Sequence, residues 1–192
     1  MADAHGGTPA RVLAVCTGNV CRSPAVERLL AARLGAAYAV ASAGTRALVG
    51  SPVDPPTAAL LTDAGASADG FVARQVSAAD VREAGLVLAL SREHRSAVVR
   101  LVPSALRTTF TLRELGRLLA VADVSGLPDD PAERLAALAA RARAARPLPG
   151  AAADPADDDV VDPYGGGPAI LARAWAEMTG PLDVLRRALL GG

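Results

Sequence analysis

Apolar residues recur in short blocks along most of the chain. Residues 11–16 (RVLAVC) form a nearly continuous apolar run, typical of a strand that is buried on both faces of a parallel sheet. A helical pattern follows from Ser23 and ends at Gly35. Its apolar positions share one face: Val26, Leu29, Leu30 and Leu34. Ser23 suits the N-cap of this helix, and Pro24 suits its first turn.

The same alternation of strand and helix continues downstream. Further strands are predicted at 38–42, 86–90 and 107–111, and further helices at 57–64, 92–102, 112–120, 131–146 and 168–190. Gly180-Pro181 is the expected place for a kink or break in the last helix. The alternation predicts an α/β fold with a four-stranded parallel sheet between layers of helices.

The chain is long enough for one domain with a substantial core. We expect residues 1–9 to form a flexible tail and residues 10–192 to form the domain. Residues 121–160 depart from the regular rhythm. Within them, 147–159 (PLPGAAADPADDD) has the low complexity of a flexible surface loop.

Composition and charge narrow the possible functions only slightly. Apolar residues make up 51% of the chain, aromatic residues only 3%, and lysine is absent, as expected of a GC-rich bacterial genome. Twenty basic and twenty acidic residues cancel, and no basic run suggests nucleic-acid binding. There is no secretory signal, no apolar run of membrane-spanning length and no disulfide framework. These features predict a cytoplasmic protein.

The segment between the first strand and the first helix carries the candidate chemistry. Cys16 ends the strand and Arg22 opens the helix six positions later. Backbone N–H groups from Thr17 to Arg22 can surround one anion at the helix N-terminus, and Gly18 allows the chain to curl. The predicted phosphate-binding residues are Thr17, Gly18, Asn19, Val20, Cys21, Arg22 and Ser23.

Two side chains in this loop suit phosphoryl transfer. The same N–H donors would stabilise Cys16 as a thiolate nucleophile. The planar guanidinium of Arg22 can hold two phosphoryl oxygens while remaining charged. Ser23 can either cap the helix or donate its hydroxyl to the cysteine sulfur.

The residues CTGNVCRSP resemble the signature of the low-molecular-weight protein-tyrosine phosphatases. Four later blocks resemble the family in the right order: 41–45 (ASAGT), 73–75 (ARQ), 86–90 (LVLAL) and 161–164 (VDPY). The resemblance implies a flavodoxin-like phosphotyrosine phosphatase I fold, a three-layer sandwich. It implies hydrolysis of phosphotyrosine through a phosphocysteine intermediate, without a cofactor.

The resemblance also implies roles for individual residues. Cys16 is the nucleophile, Arg22 binds the phosphoryl group and Asp162 is the general acid. Asn19 braces the loop and Ser23 assists the thiolate. The pocket walls are Leu48 and Tyr164. The aliphatic wall is similar to that of phosphatases acting on bacterial tyrosine kinases, so the expected partner is a phosphotyrosine protein, either such a kinase or its substrate.

The chain departs from the family pattern in three places. Phe71 stands where many members have a histidine that fixes the loop asparagine, although Ser42 can contribute to that bracing. Gly165–Gly167 follow Tyr164 in place of a second tyrosine. Residues 121–160 form an insertion before the acid loop, with a lid, a docking surface or padding as its alternative roles.

Cys21 has two possible roles. It lies close enough in sequence to form a reversible disulfide that protects Cys16, as in some members of the family. It can equally be a small buried residue.

The remaining polar candidates have simpler interpretations. No metal site is expected, because the two cysteines lack a second ligand pair and both His5 and His94 are isolated. His94 is predicted to be a solvated helix residue. Arg74 and Arg92 are predicted to form surface ion pairs.

Two other functions remain open. An arsenate reductase can use the same fold and loop. Its thioredoxin-linked form needs further cysteines, and none follows Cys21, whereas a form using a small thiol needs only Cys16. The other alternative is a non-catalytic regulatory module that binds phosphate or a phosphoprotein. Asp162 favours the phosphatase, because a leaving phenolate benefits from a general acid.

Overall fold

A computed structural model describes residues 9–147, 152 and 154–191. The four strands are β1 (Ala10–Cys16), β2 (Tyr38–Gly44), β3 (Leu86–Ala89) and β4 (Thr109–Thr111). They pair in parallel in the order β2-β1-β3-β4. The predicted parallel sheet is therefore confirmed. The predicted tail, apart from residue 9, lies outside the described residues.

Helices cover both faces of the sheet. They are α1 (Arg22–Leu34), α2 (Pro55–Asp63), α3 (Ala78–Glu83), α4 (Arg92–Leu101), α5 (Leu112–Val121), α6 (Pro131–Ala145) and α7 (Pro168–Leu190), with 3₁₀ turns at Pro103–Arg107 and Pro155–Asp158. The sequence prediction missed α3, which has only six residues. A capping box between Ser77 and Asp80 stabilises its start.

The side chains of β1 alternate between the two faces of the sheet, as the two-residue period of a strand requires. Val12 and Ala14 join the larger core cluster, with residues of α1, α5, α6 and α7. Leu13 and Val15 join a smaller cluster with residues of α3 and α4. The sheet is thus the middle of three layers.

The segment predicted as an insertion contributes to the core. In α6, Leu135 and Leu138 are fully buried within the larger cluster. Asp130 caps this helix by accepting the N–H groups of Ala132 and Glu133. In the low-complexity stretch, residues 148–151 and 153 lie outside the described residues, whereas residues 155–158 form a 3₁₀ turn rather than an irregular loop.

The last helix, α7, runs through Pro181 as one element, so of the kink or break expected at Gly180-Pro181 a break does not occur. Pro181 lies against α5 at Gly116, where a Cβ atom would approach the proline Cβ to 2.8 Å. This close packing of the two helices stabilises α7 where its proline removes a backbone hydrogen bond. Within the described residues, no helix is both long enough and apolar enough to span a membrane.

Candidate active site

The loop between β1 and α1 lies at the carboxyl edge of the sheet. β1 pairs with β2 on one side and with β3 on the other. The strand order therefore switches at β1, because β2 is added on one side of it and β3 and β4 on the other. Parallel α/β folds bind ligands at such switch points. Cys16 is the last residue of β1, and α1 begins at Arg22.

The loop between β1 and α1 is the predicted phosphate loop. The loop after β2, residues 45–54, keeps the carbonyl groups of the phosphate loop pointing away from the centre of the phosphate loop. The oxygens of Cys16, Thr17, Gly18 and Val20 accept N–H bonds of 2.8–3.0 Å from Thr45, Arg46, Leu48 and Asp54, respectively. Because the N–H and C=O of a trans peptide point in opposite directions, the N–H groups of the same peptides face the inside of the loop. This is the arrangement that an anion requires.

Gly44 is needed for this approach of the two loops. A Cβ atom on Gly44 would lie 2.4 Å from the carbonyl oxygen of Thr17. No side chain fits at that distance, which explains the glycine in the ASAGT block.

Asn19 braces the phosphate loop from within. It is the only described residue other than glycine with a positive φ, at 56°. Its Oδ1 accepts the backbone N–H of Arg74 at 2.9 Å, which fixes the orientation of the amide. Its Nδ2 therefore donates to Ser23 Oγ at 3.0 Å and to Ser42 Oγ at 2.8 Å.

These donors determine the direction of the remaining hydrogen bonds. Ser42 Oγ accepts from Asn19 and donates to Glu27 Oε2 at 2.6 Å. Burial raises the pKa of Glu27, and the bond from Ser42 opposes that rise. Phe71, at the position where the family resemblance implies a histidine, does not join this network, and its ring centroid lies 5.5 Å from the guanidinium carbon of Arg28.

The sulfur of Cys16 has two contacts within the loop. The backbone N–H of Asn19 donates to Sγ at 3.3 Å, and Ser23 Oγ lies 2.9 Å from Sγ. Since Ser23 Oγ already accepts a bond from Asn19, its own hydrogen is available to the sulfur. The prediction that Ser23 caps α1 is wrong, because the N-cap is Cys21 and no side chain caps the helix.

Arg22 is buried and joins the phosphate loop to the acid loop. Its Nη2 lies 2.7 Å from Asp162 Oδ2, and its Nη1 donates to the carbonyl of Val160 at 3.1 Å. Val160 N–H in turn donates to Leu90 O at the end of β3. Asp162 Oδ1 accepts the N–H of Tyr164 at 3.2 Å.

The thiol of Cys16, the guanidinium of Arg22 and the carboxylate of Asp162 meet at one cavity of about 170 Å³. Its lining comprises Cys16, Thr17, Gly18, Val20, Cys21, Arg22, Arg46, Leu48, Asp162 and Tyr164. Leu48 and Tyr164 stand at its mouth, 43% and 60% exposed. Larger grooves lie elsewhere: one of about 620 Å³ is lined by residues of α5, α6 and α7, and one of about 520 Å³ by residues of α5, α7 and the 3₁₀ turn at Pro155–Asp158. The described residues that line these two grooves include no cysteine.

Cys21 is a free, buried cysteine. Burial, with a smaller contribution from the charge of Asp54, raises its pKa to about 12. Cys21 is therefore almost entirely a protonated thiol at neutral pH, and only a very small fraction of it is the reactive thiolate.

Three other polar residues can now be placed. The prediction that His94 is solvated is wrong: it is 3% exposed, and its Nε2 lies 2.8 Å from Thr17 Oγ1. Arg74 pairs with Asp80, and Arg92 pairs with Asp159. Those two arginines form surface ion pairs, as predicted.

Sequence reasoning gave no role to Glu27 and misjudged His94. Neither residue carries a local motif, since both reach the loop only through the packing of α1 and α4. Within the described residues, no group of three or more potential ligands among His, Cys, Asp and Glu is arranged to hold a metal ion. His5 lies outside the described residues.

Known structures share this fold. YwlE arginine phosphatase from Geobacillus stearothermophilus superimposes with a TM-score of 0.68 and 27% identity, covering 95% of this chain and 94% of the other. The Erwinia amylovora tyrosine phosphatase AmsI gives 0.66 and 23% identity, with 95% and 94% coverage. The latter identity supports a likeness of fold alone.

Sequence comparison identifies relatives of the same type. Wzb of Salmonella typhi, a low molecular weight protein-tyrosine-phosphatase, is 43% identical over 93 residues, which are 48% of this chain and 62% of Wzb. Etp of Escherichia coli K12, of the same description, is 41% identical over 92 residues, with 48% and 62% coverage. The matched region thus spans less than two thirds of these curated relatives.

The family model for low molecular weight phosphotyrosine protein phosphatase matches residues 11–125, more than half of the chain. This range contains the loop between β1 and α1, the loop after β2 that hydrogen-bonds to it and, apart from Ala10, the whole sheet. The chain therefore belongs to the low-molecular-weight phosphotyrosine protein phosphatase family.

Proposed function

We propose that this protein hydrolyses phosphotyrosine in a protein substrate through a phosphocysteine intermediate. The observation that carries the proposal is the convergence of Cys16, Arg22 and Asp162 on one small cavity. A thiolate, a fixed cation and a carboxylate are the groups that two-step transfer of a phosphoryl group to sulfur and then to water requires.

In the first step, the Cys16 thiolate attacks phosphorus and the bond to the tyrosine oxygen breaks. Asp162, as the acid, gives its proton to the leaving phenolate. The N–H groups of the loop and the guanidinium of Arg22 stabilise the charge on the phosphoryl oxygens. Ser23 and the Asn19 N–H stabilise the sulfur anion before attack and when it leaves again.

In the second step, water attacks phosphorus while the Asp162 carboxylate accepts its proton. The bond between sulfur and phosphorus breaks, which releases inorganic phosphate and restores the Cys16 thiolate. The site returns to its starting protonation state. Because Cys16 must remain reduced, we propose that the protein works in a reducing compartment such as the bacterial cytoplasm.

The pocket walls favour an aromatic ester. Val20, Leu48 and Tyr164 present apolar surface around the opening, which suits a phenyl ring. The structural similarity to an arginine phosphatase makes phosphoarginine the sharpest competing substrate. Among the described residues that line this cavity, Asp162 is the only carboxylate and it is paired with Arg22, so little negative charge remains for a substrate guanidinium.

The decisive experiment compares phosphotyrosyl and phosphoarginyl peptides of matched sequence, with a metal chelator present and arsenate reduction measured in parallel. We expect turnover of the phosphotyrosyl peptide that Cys16→Ser abolishes. Preference for the phosphoarginyl peptide, or thiol-dependent arsenate reduction alone, would assign a different activity. Inactivity in every assay with retained phosphate binding would identify a regulatory module.

A further inference from the structure

A buried histidine lies directly behind the residue that follows the nucleophile. His94 Nε2 is 2.8 Å from Thr17 Oγ1, and His94 Nδ1 is 2.9 Å from Ser91 Oγ. Thr17 lines the cavity, whereas His94 is 3% exposed and does not line it. The imidazole thus reaches the site only through the hydroxyl of Thr17.

The turn between β3 and α4 holds this histidine in position. Leu90 N–H donates to Val15 O, which ties the turn to β1 next to the nucleophile strand end. Ser91 caps α4 by accepting the backbone N–H of His94. The ring is therefore fixed by the fold from both of its nitrogens and from its own backbone.

His94 is uncharged in the folded protein at neutral pH. Burial, assisted by the positive charge of Arg22, lowers its pKa to about 4. A neutral imidazole has one N–H donor and one acceptor nitrogen, so two hydrogen-bond arrangements are possible. Either Thr17 donates to Nε2, or Nε2–H donates to Thr17.

A phosphoryl anion in the loop distinguishes these arrangements. If the Thr17 hydroxyl donated its hydrogen to His94, only the lone pairs of the Thr17 oxygen would face the anion. Lone pairs and an anion repel each other. If Ser91 donates to Nδ1 and Nε2–H donates to Thr17, the Thr17 hydrogen becomes available to a phosphoryl oxygen. The Ser91 hydroxyl, both ring nitrogens of His94 and the Thr17 hydroxyl then all have hydrogen-bond partners.

We propose that His94 is a positioning residue that orients the Thr17 hydroxyl as a hydrogen-bond donor to the phosphoryl group. The inference rests on the proposed function only in taking a phosphoryl anion as the ligand. It adds a side-chain donor, supplied from α4, to the backbone donors of the phosphate loop.

The test uses isosteric and conservative variants. Thr17→Val removes the hydroxyl but keeps the branched shape, and His94→Phe keeps a ring without donors. We expect each to weaken inorganic phosphate binding, measured by calorimetry, and to lower kcat/KM for p-nitrophenyl phosphate by about tenfold. Thr17→Ser and His94→Gln, which retain donors, should recover most of that loss.

The double variant separates positioning from general structure. If His94 acts through Thr17, Thr17→Val/His94→Phe should bind phosphate about as weakly as Thr17→Val alone. Ser96→Ala, on the exposed side of α4, is the control for changes to that helix. If His94→Phe fails to fold, His94→Asn still decides, because its shorter amide can reach Ser91 but not Thr17 and should bind phosphate about as weakly as Thr17→Val.

Two results would overturn the inference. One is wild-type phosphate affinity in Thr17→Val. The other is a loss of phosphate affinity in the double variant that equals the product of the losses in the two single variants. If the wild type binds phosphate and the variants weaken that binding as expected, but the wild type hydrolyses no ester, the proposed function fails and this inference stands. If the wild type is active and Thr17→Val is unchanged, the inference alone fails.

Discussion

The guanidinium of Arg22 lies 2.7 Å from the carboxylate of Asp162, so the proposed phosphate ligand also positions the proposed acid. Arg22 is 7% exposed in its side chain, whereas Asp162 is 54% exposed. A second bond, from Arg22 to the carbonyl of Val160, holds the backbone of the same loop. The Arg22 side chain therefore links the phosphate loop to the loop that carries Asp162. A lysine would not reproduce both bonds, because it lacks the planar guanidinium with its several N–H donors.

Replacing Asp162 by Asn should slow the first chemical step in a way that depends on the leaving group. Without a proton donor, kcat/KM for phenyl phosphate, which reports the first chemical step, should fall by roughly 10²–10⁴. The decrease should be much smaller for 2,4-dinitrophenyl phosphate, whose leaving group needs no proton. Steady-state rates across a series of substituted phenyl phosphates measure this dependence.

Asp157→Asn is the matched control, because Asp157 is an exposed acid on the preceding 3₁₀ turn and does not line the cavity. It should leave the leaving-group dependence unchanged. An equal decrease in kcat/KM for all esters in Asp162→Asn would show that Asp162 is not the acid of the first step.

Replacing Ser42 by Ala should weaken the brace behind the phosphate loop. The change removes the acceptor of Asn19 Nδ2 and the donor to Glu27, and it leaves polar atoms in a buried site. We expect a loss of roughly 1–3 kcal/mol in the free energy of unfolding, measured with urea. Turnover of p-nitrophenyl phosphate should also fall, because the loop depends on Asn19 for its shape.

Ser96→Ala provides the comparison, since Ser96 is exposed on α4. Its stability should remain within about 0.5 kcal/mol of the wild type. Equal stability and activity of the two variants would contradict a bracing role for Ser42.

The sheet and the nucleophile loop could be predicted because their signals are local. Strand β1, the glycine and asparagine of the loop, and Arg22 lie within thirteen consecutive residues, 10–22. Each signal depends on a short-range property: an apolar run, a tight turn or a helix start. The family resemblance then supplied Asp162, whose Asp-Pro context alone favours a turn.

Other parts of the site depend on long-range contacts that no local pattern contains. His94 contacts Thr17 across 77 positions, and Ser42 contacts Asn19 across 23. For Ser23, by contrast, a local signal was misleading. Its sequence context favours a helix cap, but its hydroxyl contacts the sulfur of Cys16 instead. Local preference yields there to a tertiary hydrogen bond.

Leu138→Ala should test whether α6 belongs to the structural core. Leu138 is fully buried, so the substitution should lower the free energy of unfolding by roughly 2–5 kcal/mol. Leu101→Ala, at the end of α4 and 42% exposed, should cost clearly less. Denaturant titration of both variants measures the difference, and equal small effects would favour a role for α6 as a peripheral lid.

The buried, neutral state of His94 should make the fold sensitive to acid. The pKa of His94 is about 4 in the folded protein, below its ordinary value of 6.5. Below pH 6.5 the unfolded chain binds a proton that the folded chain resists, so stability decreases as pH falls from 6.5 towards 4. Above pH 6.5 both states are neutral at this position and the contribution is constant.

His94→Gln cannot titrate and isolates this contribution. Between pH 6.5 and 4, the wild type should lose up to about 3 kcal/mol more than the variant. Arg22, Arg46, Asp159 and Asp162 surround the ring electrostatically and are unchanged in both proteins. Parallel stability curves over this range would show that His94 is not held neutral by the fold.

Cys21 should protect Cys16 during oxidation, although its own thiol is almost entirely protonated at neutral pH. When hydrogen peroxide converts Cys16 to a sulfenic acid, attack by Cys21 forms a disulfide and releases water, which prevents further oxidation. Because the pKa of Cys21 is about 12, the attacking thiolate is scarce at neutral pH. Closure should therefore accelerate as pH rises from 7 to 9.

The measurement is the activity recovered by a thiol reductant after a limited peroxide pulse, relative to each protein's own activity before oxidation. The wild type should recover most of its activity, and Cys21→Ser should recover much less because its Cys16 proceeds to sulfinic acid. Mass spectrometry of the oxidised proteins distinguishes the disulfide from the sulfinic acid. Equal recovery in both proteins would leave Cys21 as a packing residue only.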